Sequence, residues 1–259
     1  MTPVEHEPLP ARSRIAVIAD VHGNLPALKA VLADMRAFDV DGVVCLGDVA
    51  NAGPEPAEAI ARLRRLAAPT VLGNTDAYLL RPRTLADLPD PPPPGWEEHL
   101  ELEAWCAAQL GDADRDYLRT FAPRLEFELE GLRVVAYHGS PKSYDDPIRS
   151  NTPDEQLAAW LDDSPADVYL GAHTHEQFAK RFRAALLANP GSVGMAVRLT
   201  PEGEGWHPAA AEYAVLSVVD GQPNVHLRKV AYDLRGLEDA ARRSGMPRAE
   251  SYLARFRTY

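Results

Sequence analysis

Cysteine is scarce in this chain, with only Cys45 and Cys106 among 259 residues. Cys45 lies inside an apolar run and Cys106 inside a stretch with helical spacing, so both are predicted to be packing residues rather than metal ligands or disulfide partners. The residue types left for metal binding are histidine and the side chains that carry oxygen. A soft, thiolate-rich metal site is therefore not expected.

Basic residues are also in the minority, with 27 Lys and Arg against 38 Asp and Glu and a formal net charge of −11. This balance argues against extended nucleic-acid binding through a broad basic face, although a bound cation can still attract a small anionic substrate. The sequence lacks apolar runs of membrane-spanning length, and its first dozen residues lack the pattern of a signal peptide. We therefore expect a cytoplasmic protein with no membrane partner.

What the sequence does contain is a regular alternation of short apolar runs and helical patterns. The runs "RIAVIAD", "DGVVCLGD" and "TVLGN" are typical of buried strands, and helices are predicted over 26–38 and 55–66. Repeated strand–helix units indicate a largely parallel sheet covered by helices. A hydrophobic content of 46% in 259 residues is enough for one large α/β domain over 1–259.

The second half of the chain is rich in predicted strands. The stretch "RLEFELEGLRVVAYHG" predicts two strands around Glu130-Gly131. A second pair is predicted in "AEYAVLSVVDGQPNVHLRKVAYD", with a hairpin turn near Asp220-Gly221. Two short helical pieces close the chain.

The apolar runs share a further property, which is the type of residue that ends them. Five of the runs finish on a hard or borderline metal ligand, and two carry a second such residue two positions later. Because open α/β sheets place their sites at the carboxyl ends of strands, and residues two apart on an extended chain point the same way, these side chains are predicted to converge. The predicted metal ligands are Asp20, His22, Asp48, Asn74, His138, His173 and His175.

The alternative for any one of these residues is an ordinary turn, cap or packed histidine, which is the commoner situation for a single position. Agreement across five strands favours the cluster instead. The other four histidines show no such placement and are predicted to be ordinary surface or loop residues; they are His6, His99, His207 and His226.

Seven ligands exceed what one ion requires, so the sequence predicts two divalent ions that share a carboxylate. Asp48 is the natural bridge, because a carboxylate has two oxygens and its strand is expected to lie centrally. Mixed nitrogen and oxygen ligands suit Mn²⁺, which we favour, and also Fe or Zn²⁺. Such a pair can hold a phosphate and generate a hydroxide near neutral pH.

The order of these motifs resembles that of the calcineurin-like metallophosphoesterases, and "NPGS" at 189–192 is similar to their branch of small prokaryotic phosphodiesterases. The blocks that carry the resemblance are "DVHGN" at 20–24, "GD" at 47–48, "GNTD" at 73–76, "HG" at 138–139 and "GAHTH" at 171–175. The resemblance extends from about Ile15 to Ser192. It implies a four-layer α/β/β/α sandwich of two mixed sheets with flanking helices.

The resemblance also implies how the ligands divide between the ions. One ion would be bound by Asp20, His22, Asp48 and His175. The other would be bound by Asp48, Asn74, His138 and His173.

The sequence departs from this family at Thr75, where the family usually has a histidine that contacts phosphate and protonates the leaving oxygen. A threonine hydroxyl can donate a hydrogen bond but cannot act as a general acid near neutral pH. The catalytic acid is therefore unassigned, with Lys142 and Tyr144 as candidates for contact with the substrate. Asn24 is expected to cap the following helix and is a weaker candidate for phosphate contact. Asn74 is also a candidate for contact with the substrate, besides its predicted role as a metal ligand.

The segment 81–121 begins with a Pro-rich stretch and continues with predicted helices over 96–109 and 112–121. It follows the "GNTD" block and so leaves the sheet at the predicted active edge. The favoured interpretation is a cap-like helical insertion with Trp96 and Trp105 as pocket walls. The alternative is a helical pair on the flank, with both tryptophans in its own core.

The sequence as a whole predicts a metal-dependent phosphoesterase that hydrolyses small phosphodiesters or nucleotides by in-line attack of a dimetal-bound hydroxide. A small phosphorylated molecule is the expected partner, and a homo-oligomer is compatible with the sequence. Two alternatives stay open: a nuclease or protein phosphatase with the same site, and a catalytically silent binding scaffold. A scaffold is expected to have lost ligands, and all seven are present.

Overall fold

The structure is a computed structural model that describes residues 14–93 and 95–258, so the predictions on the first dozen residues and on His6 lie outside the described residues. Its strands are β1 (Arg14–Ile18), β2 (Gly42–Cys45), β3 (Leu125–Leu129), β4 (Leu132–Ala136), β5 (Val168–Leu170), β6 (Phe178–Phe182), β7 (Ala185–Asn189), β8 (Arg198–Leu199), β9 (Gly205–Pro208), β10 (Ala210–Val219), β11 (Gln222–Ala231) and β12 (Phe256–Arg257). Its α-helices are α1 (Leu25–Asp34), α2 (Pro56–Leu66), α3 (Asn74–Leu80), α4 (Trp96–Ala108), α5 (Asp112–Leu118), α6 (Asp154–Leu161), α7 (Leu234–Ser244) and α8 (Ala249–Leu253).

Two mixed sheets form the centre of the fold. The first sheet has the strand order β11-β10-β1-β2, in which β1 and β2 are parallel and β10 is antiparallel to both of its neighbours. The second sheet has the order β3-β4-β5-β7-β6, with parallel pairs at its centre and an antiparallel strand at each edge. The expectation that β2 lies centrally is wrong, because β2 is the last named strand of its sheet and is extended only by a single bridge from Cys45 to Thr70.

The strand β1 shows why its sequence is an unbroken apolar run. Ile15 and Val17 belong to the core between the two sheets, whereas Ala16 and Ile18 belong to the core under the helices. A strand that is covered on both faces has no solvent face for polar residues. Residues of the second sheet complete the core between the sheets, among them Val134, Ala136, Val168 and Leu170.

Helices cover the outer face of each sheet. Helices α1 to α5, α7 and α8 contribute to the core on the first sheet, and α6 packs Leu157 and Leu161 onto the second sheet. The sequence of layers is therefore helices, first sheet, second sheet, helix, which confirms the predicted four-layer α/β/β/α sandwich. None of the helices described here is long and apolar enough to cross a membrane.

The predicted hairpin turn near Asp220-Gly221 is confirmed, and so are the two strands predicted around Glu130-Gly131. Asp220 and Gly221 connect β10 to β11 with φ angles of 50° and 70°, and Glu130 and Gly131 connect β3 to β4 with 46° and 83°. Two consecutive positive φ angles are the mark of a type I′ turn, whose twist matches that of the paired strands. Glycine at the second position adopts this backbone without a steric cost.

Other predicted elements need correction. In the described chain "TVLGN" forms only single bridges, from Thr70 to Cys45 and from Val71 to Ala122. The helix predicted over 112–121 ends at Leu118, because Ala122 already donates its N–H to the Thr70 carbonyl. A small third sheet with the order β12-β9-β8 and the helix α6 were not predicted.

The segment 81–121 shares a core with the rest of the helical layer. Cys106 and Leu118 are buried in that core, and Trp105 packs against it half-buried. Cys45 and Cys106 are both buried free thiols, as predicted from their apolar surroundings. Trp105 therefore has the packing role of the flank interpretation, while a cap over the substrate pocket stays a prediction.

Candidate metal centre

The predicted ligands come together at one edge of the sandwich, beyond the ends of strands from both sheets. Asn74 differs from the expectation, since it is the first residue of α3 and does not end a named strand. The other six follow the strands β1, β2, β4 and β5; they are Asp20, His22, Asp48, His138, His173 and His175.

The backbone at these positions is unusual. An L-amino acid with a positive φ is uncommon and usually indicates a structural or functional constraint. The sequence argument that paired ligands converge because the chain is extended is therefore wrong: left-handed turns after the strands bring them together. The positive-φ ligands are Asp20 (53°), His22 (47°), Asp48 (56°), His173 (67°) and His175 (55°).

One group of ligand atoms joins the loop after β1 to the loop after β5. The Nε2 atoms of His22 and His175 are 3.1 Å apart. Asp20 Oδ1 lies 3.3 Å from His175 Nε2 and 3.9 Å from His22 Nε2. Asp48 Oδ2 lies 3.8 Å from His22 Nε2. Metal–ligand bonds of about 2.1 Å place neighbouring ligand atoms about 3.0 to 3.4 Å apart, so this group has the spacing of a slightly expanded cation site.

A second group is centred on Asn74. Its Oδ1 atom lies 3.0 Å from His138 Nε2 and 3.1 Å from His173 Nδ1. His138 Nε2 lies 3.4 Å from Asp48 Oδ2, the carboxylate oxygen that also faces His22 in the first group. Ligand atoms of Asp20, Asp48 and His138 also lie within 4.8 Å of one another. Both carboxylates thus lie between the two histidine groups, and bridging by Asp48 stays a prediction.

Backbone carbonyls fix the orientation of three imidazoles. His22 Nδ1 contacts the Asn51 carbonyl at 2.9 Å, His138 Nδ1 contacts Leu46 at 2.7 Å and His175 Nδ1 contacts Met195 at 2.7 Å. A carbonyl only accepts, so each Nδ1 carries a proton and each Nε2 faces the cluster. This arrangement, in which the second nitrogen is held by the protein, is typical of histidines that bind metals.

The environment of Asp20 provides a test of whether these residues fit a cation. The side chain is fully buried, yet neither carboxylate oxygen has a hydrogen-bond partner among the described residues. A buried carboxylate without hydrogen bonds is costly unless a positive charge compensates it. Two imidazole Nε2 atoms at 3.1 Å likewise require a shared proton or a cation between them. The residues present therefore fit divalent metal ions.

The protonation states show that the cluster attracts positive charge. Although burial opposes it, His175 lowers the pKa of Asp20 and His138 lowers that of Asp48, so both carboxylates stay charged. Burial lowers the pKa of His22, which leaves that ring neutral. Although burial alone would lower it, Asp48 raises the pKa of His138 to about 10, so this ring holds a second proton unless a cation displaces it.

The substrate candidates from the sequence lie in different surroundings. Asn24 is buried and caps α1, with its Oδ1 accepting the Ala27 N–H at 3.1 Å. The Lys142 ammonium group donates to the Ala159 carbonyl of α6 at 2.7 Å and pairs with Asp163 at 2.7 Å. These contacts explain both residues structurally, so substrate contact by Asn24 or Lys142 stays a prediction.

Thr75 and Tyr144 differ in exposure. The Thr75 hydroxyl is enclosed and has no hydrogen-bond partner in the part of the chain that the structure describes, while its N–H donates to Asp48 Oδ1 at 2.9 Å. Tyr144 is 37% exposed. The threonine hydroxyl therefore faces protein rather than the open edge of the site.

Sequence reasoning gave no role to Asp76, which organises the backbone beneath the ligands. Its buried carboxylate accepts the N–H groups of Asp48 at 2.7 Å, Val49 at 2.9 Å and Gly73 at 3.2 Å. Burial, and then the charge of Asp48, raise the pKa of Asp76 to about 7. The available signal was an acidic residue at the third position of a helix that begins after glycine. Gly73 is required for close approach, since a Cβ there would lie 2.1 Å from Asp48 Oδ1.

The "NPGS" block supports the site from the opposite side. Ser192 Oγ donates to the Asp20 carbonyl at 2.8 Å and accepts the Met195 N–H at 2.8 Å. The Met195 carbonyl in turn orients His175. The serine therefore links the loop of one ligand to the carbonyl that positions another.

One of the four histidines set aside from the sequence is not a surface or loop residue. His207 lies in β9 and is only 3% exposed, with Nδ1 on the Ala196 carbonyl at 3.0 Å. Burial, and then Arg255, lower its pKa to about 4. The prediction failed because β9 is too short to show a periodic pattern. His99 and His226 are exposed, as predicted.

The chain is similar to known proteins over most of its length. Residues 14–220 match the calcineurin-like phosphoesterase superfamily domain. A metallophosphoesterase from Sphaerobacter thermophilus has 26% sequence identity and a TM-score of 0.70, and the match covers 94% of this chain and 98% of that structure.

Two further proteins are similar to this chain. A hypothetical protein from Pyrococcus horikoshii has the same fold, with a TM-score of 0.75, 21% identity and coverage of 93% and 96% of the two chains. An uncharacterized protein from Methanocaldococcus jannaschii is 26% identical over 185 residues, which is 70% of each chain.

Proposed function

The chain belongs to the calcineurin-like phosphoesterase superfamily, and on that premise we propose that it is a metal-dependent hydrolase of small phosphodiesters or nucleotides. The family consists of metal-dependent phosphoesterases. The substrate class, the use of two ions, Mn²⁺ as the native metal and a cytoplasmic location are parts of this proposal.

The observation that carries the proposal is the buried ligand cluster around Asp20. A carboxylate without hydrogen-bond partners among the described residues faces His22 Nε2 from its own loop and His175 Nε2 from the other sheet. A silent scaffold has no need to keep this costly arrangement. When bound, two divalent ions would hold a phosphate by their charge and supply a hydroxide for in-line attack on phosphorus.

The chain's own residues would have separate roles in binding the ions, compensating their charge and selecting the substrate. Backbone carbonyls hold the Nδ1 atoms of His22, His138 and His175. The Nε2 atoms of these three imidazoles therefore stay turned toward the cluster and are preorganised to bind the ions. Asp20 and Asp48 carry the compensating negative charge. Since the Thr75 hydroxyl is enclosed and cannot act as a general acid, esters with good leaving groups should react best.

A reconstitution experiment tests this function. Protein treated with a chelator would be reloaded with Mn²⁺, Fe²⁺ or Zn²⁺ and assayed on aryl and alkyl phosphodiesters, monoesters and nucleotides. We expect no turnover without metal, the highest turnover with Mn²⁺, and a preference for aryl diesters. Asp48→Asn protein prepared in parallel controls for contaminating phosphatases.

The other outcomes identify the alternatives. Undiminished turnover in the metal-free protein would exclude the two-metal mechanism. Activity on long nucleic acid or on phosphoprotein, but not on small diesters, would indicate a nuclease or a protein phosphatase. Metal binding without turnover of any phosphoester would indicate a binding scaffold.

A further inference from the structure

Tyr78 lies on the same face of α3 as the predicted ligand Asn74. The two residues are four positions apart, the spacing at which helical side chains become neighbours. The Tyr78 hydroxyl donates to Asp145 Oδ1 in the loop after β4, at a long 3.4 Å. The hydroxyl therefore lies between α3 and the loop after His138, on the side of α3 that carries Asn74.

The segment 81–121 fixes the ring of this tyrosine. The Arg83 guanidinium carbon lies 3.6 Å from the centre of the Tyr78 ring, and the Trp96 ring lies 5.0 Å from the same guanidinium. A cation against the face of an aromatic ring is attractive, and arginine stacks in this way because its guanidinium is planar. Tyr78 thus has a defined position although it is only half-buried.

Arg83 is itself held by a buried carboxylate of α4. Its Nε and Nη2 atoms donate to Glu103 Oε2 at 3.1 and 2.7 Å, and its backbone N–H donates to Oε1 at 2.6 Å. Glu103 is 2% exposed, so the pair is largely shielded from water. A chain of contacts therefore connects the interior of the inserted segment to a hydroxyl beside the ligand cluster.

The hydroxyl has the right character for a phosphate contact. Burial, and then the charge of Asp145, raise the pKa of Tyr78, so the phenol is protonated at neutral pH. Its present partner Asp145 is exposed and accepts at a distance longer than usual for O–H donors. A phosphate oxygen can replace this partner without a change in the protonation of the tyrosine.

We propose that Tyr78 is a substrate-binding residue whose hydroxyl donates a hydrogen bond to an oxygen of the phosphate group, and that Arg83 is the residue that positions it. This inference rests on the proposed function, because the phosphate is the substrate's. It gives the segment 81–121 a specific task, which is to hold one donor at the rim of the site. Tyr78 would also offer the substrate a hydroxyl donor, whereas the Thr75 hydroxyl is enclosed by protein.

The test measures two quantities on metal-loaded protein: the affinity for inorganic phosphate by calorimetry, and kcat/KM for an aryl diester. We expect Tyr78→Phe to weaken phosphate binding and to lower kcat/KM, each by about 10- to 100-fold, the usual worth of a hydrogen bond to a charged group. Metal content should be unchanged. Tyr117→Phe is the matched control, since it removes a hydroxyl from α5 of the same segment at a pocket lined by 67–70, and it should change neither quantity.

Arg83 is tested by a double-mutant cycle. Arg83→Gln should weaken phosphate binding in the wild-type background but have little effect in Tyr78→Phe, because it acts through the tyrosine. Arg83→Lys keeps the charge but not the planar fork, and should rescue only part of the loss. Stability should fall in either case, because Arg83→Gln leaves the buried Glu103 carboxylate without its partner. A purely structural role would instead weaken phosphate binding equally in both backgrounds, so that its effect adds to that of Tyr78→Phe.

The results separate the two proposals. If Tyr78→Phe has normal turnover and a phosphate affinity within twofold of wild type, the proposed role of Tyr78 is wrong. The proposed function would be unaffected by that result. Phosphate binding that depends on Tyr78 in a protein without turnover would overturn the proposed function alone. If metal-loaded wild type binds no phosphate but hydrolyses the aryl diester normally, the role of Tyr78 in phosphate binding is wrong and the proposed function stands. If it neither binds phosphate nor hydrolyses any ester, both proposals are wrong.

Discussion

The two carboxylate oxygens of Asp48 make different contacts. Oδ1 accepts the N–H of Thr75, while Oδ2 faces His22 in one ligand group and His138 in the other. Exchange of this carboxylate for an amide keeps the size of the side chain but removes its charge. The residue is therefore the most direct point at which to test whether the two groups act together.

We predict that wild-type protein binds close to two transition-metal ions per chain and that Asp48→Asn reduces the content to well below one. Activity should fall by at least about 100-fold, since both ions depend on this carboxylate. The measurement is elemental analysis of the purified proteins together with kcat/KM. His175→Ala is the comparison, because it removes a ligand of the first group alone and should leave about half of the metal.

Equal losses of metal in His175→Ala and Asp48→Asn would contradict the division of the ligands into two groups. A wild-type content of one ion per chain would contradict the predicted pair. Retained circular dichroism in both variants ensures that the losses reflect the site rather than unfolding.

A second residue-scale prediction concerns His207, whose pKa is lowered from 6.5 to about 4. The unfolded chain takes up a proton near pH 6.5 and the folded chain only near pH 4, so this residue's contribution to stability is complete above pH 6.5 and is lost as the pH falls through that window. Between pH 7.5 and 4.5 the loss should be roughly 2 to 3 kcal/mol. Urea unfolding of wild type and His207→Gln at both pH values measures it.

Between pH 7.5 and 4.5, His207→Gln should lose roughly 2 to 3 kcal/mol less stability than the wild type. The exposed His226→Gln serves as the control and should follow the wild type. An identical pH dependence in wild type and His207→Gln would show that the buried imidazole does not titrate differently in the folded protein.

These residues show how much of a site can be predicted from the sequence. The seven ligand candidates were recognisable because each ends or follows an apolar run, a local signal. Asp76 and Tyr78 were not, because their roles depend on partners that lie on other elements: Asp48 and Val49 after β2, and Arg83 beyond α3. The reason given for the convergence of Asp20 and His22 was also wrong, since positive φ angles are a product of the folded loops.

At the scale of elements, the helices α3 and α5 form a matched pair. Both begin after a glycine, and in both an aspartate at the third helical position accepts the glycine N–H, Asp76 in α3 and Asp114 in α5. Only Asp76 also accepts two N–H groups from the loop after β2. The same local motif is therefore a helix cap in α5 and a connection between helix and metal loop in α3.

We predict that Asp76→Ala destabilises the protein by roughly 3 kcal/mol or more, because it leaves three N–H groups without their acceptor at a fully buried position. Asp114→Ala removes a single cap near the surface and should cost about 1 kcal/mol. Chemical denaturation compares the two. Metal content should fall in Asp76→Ala, since the loop that carries Asp48 loses its support, and should be unchanged in Asp114→Ala. Similar costs and similar metal contents in the two variants would refute the special role of α3.

The predictability of the elements follows from how local their signals are. The strand β1 is predictable because its apolar run is long enough to be covered on both faces. The hairpin at Asp220-Gly221 and the strands on either side of Glu130-Gly131 are predictable because a short turn sequence separates two strand-like runs. The third sheet was missed because β9 pairs with β12 about fifty residues later, through strands of four residues or fewer. Pairing of this kind leaves almost no trace in the sequence.

At the scale of the whole molecule, the candidate metal centre connects the two sheets. Asp20, His22 and Asp48 extend from the first sheet, and the ligand histidines after β4 and β5 extend from the second. Direct contacts across this edge include His138 Nδ1 on the Leu46 carbonyl at 2.7 Å. Bound ions would add links between layers that are otherwise joined here by a few hydrogen bonds.

This arrangement predicts that metal removal weakens the entire fold and not only the active edge. Ions that bind the folded state and not the unfolded state stabilise it by about 2.7 kcal/mol at a hundred times their dissociation constant. For a chain of this size that corresponds to a melting temperature roughly 5 to 10 °C higher. Scanning calorimetry of chelator-treated and Mn²⁺-reloaded protein measures the shift.

Asp48→Asn, which lacks the shared carboxylate, should show almost none of this shift in melting temperature, and this control separates specific binding from general salt effects. If the shift is the same in Asp48→Asn, the ions stabilise the protein at some other place. If wild type shows none, the two sheets do not depend on the metal centre for their association, and the preorganised histidines alone hold the edge together.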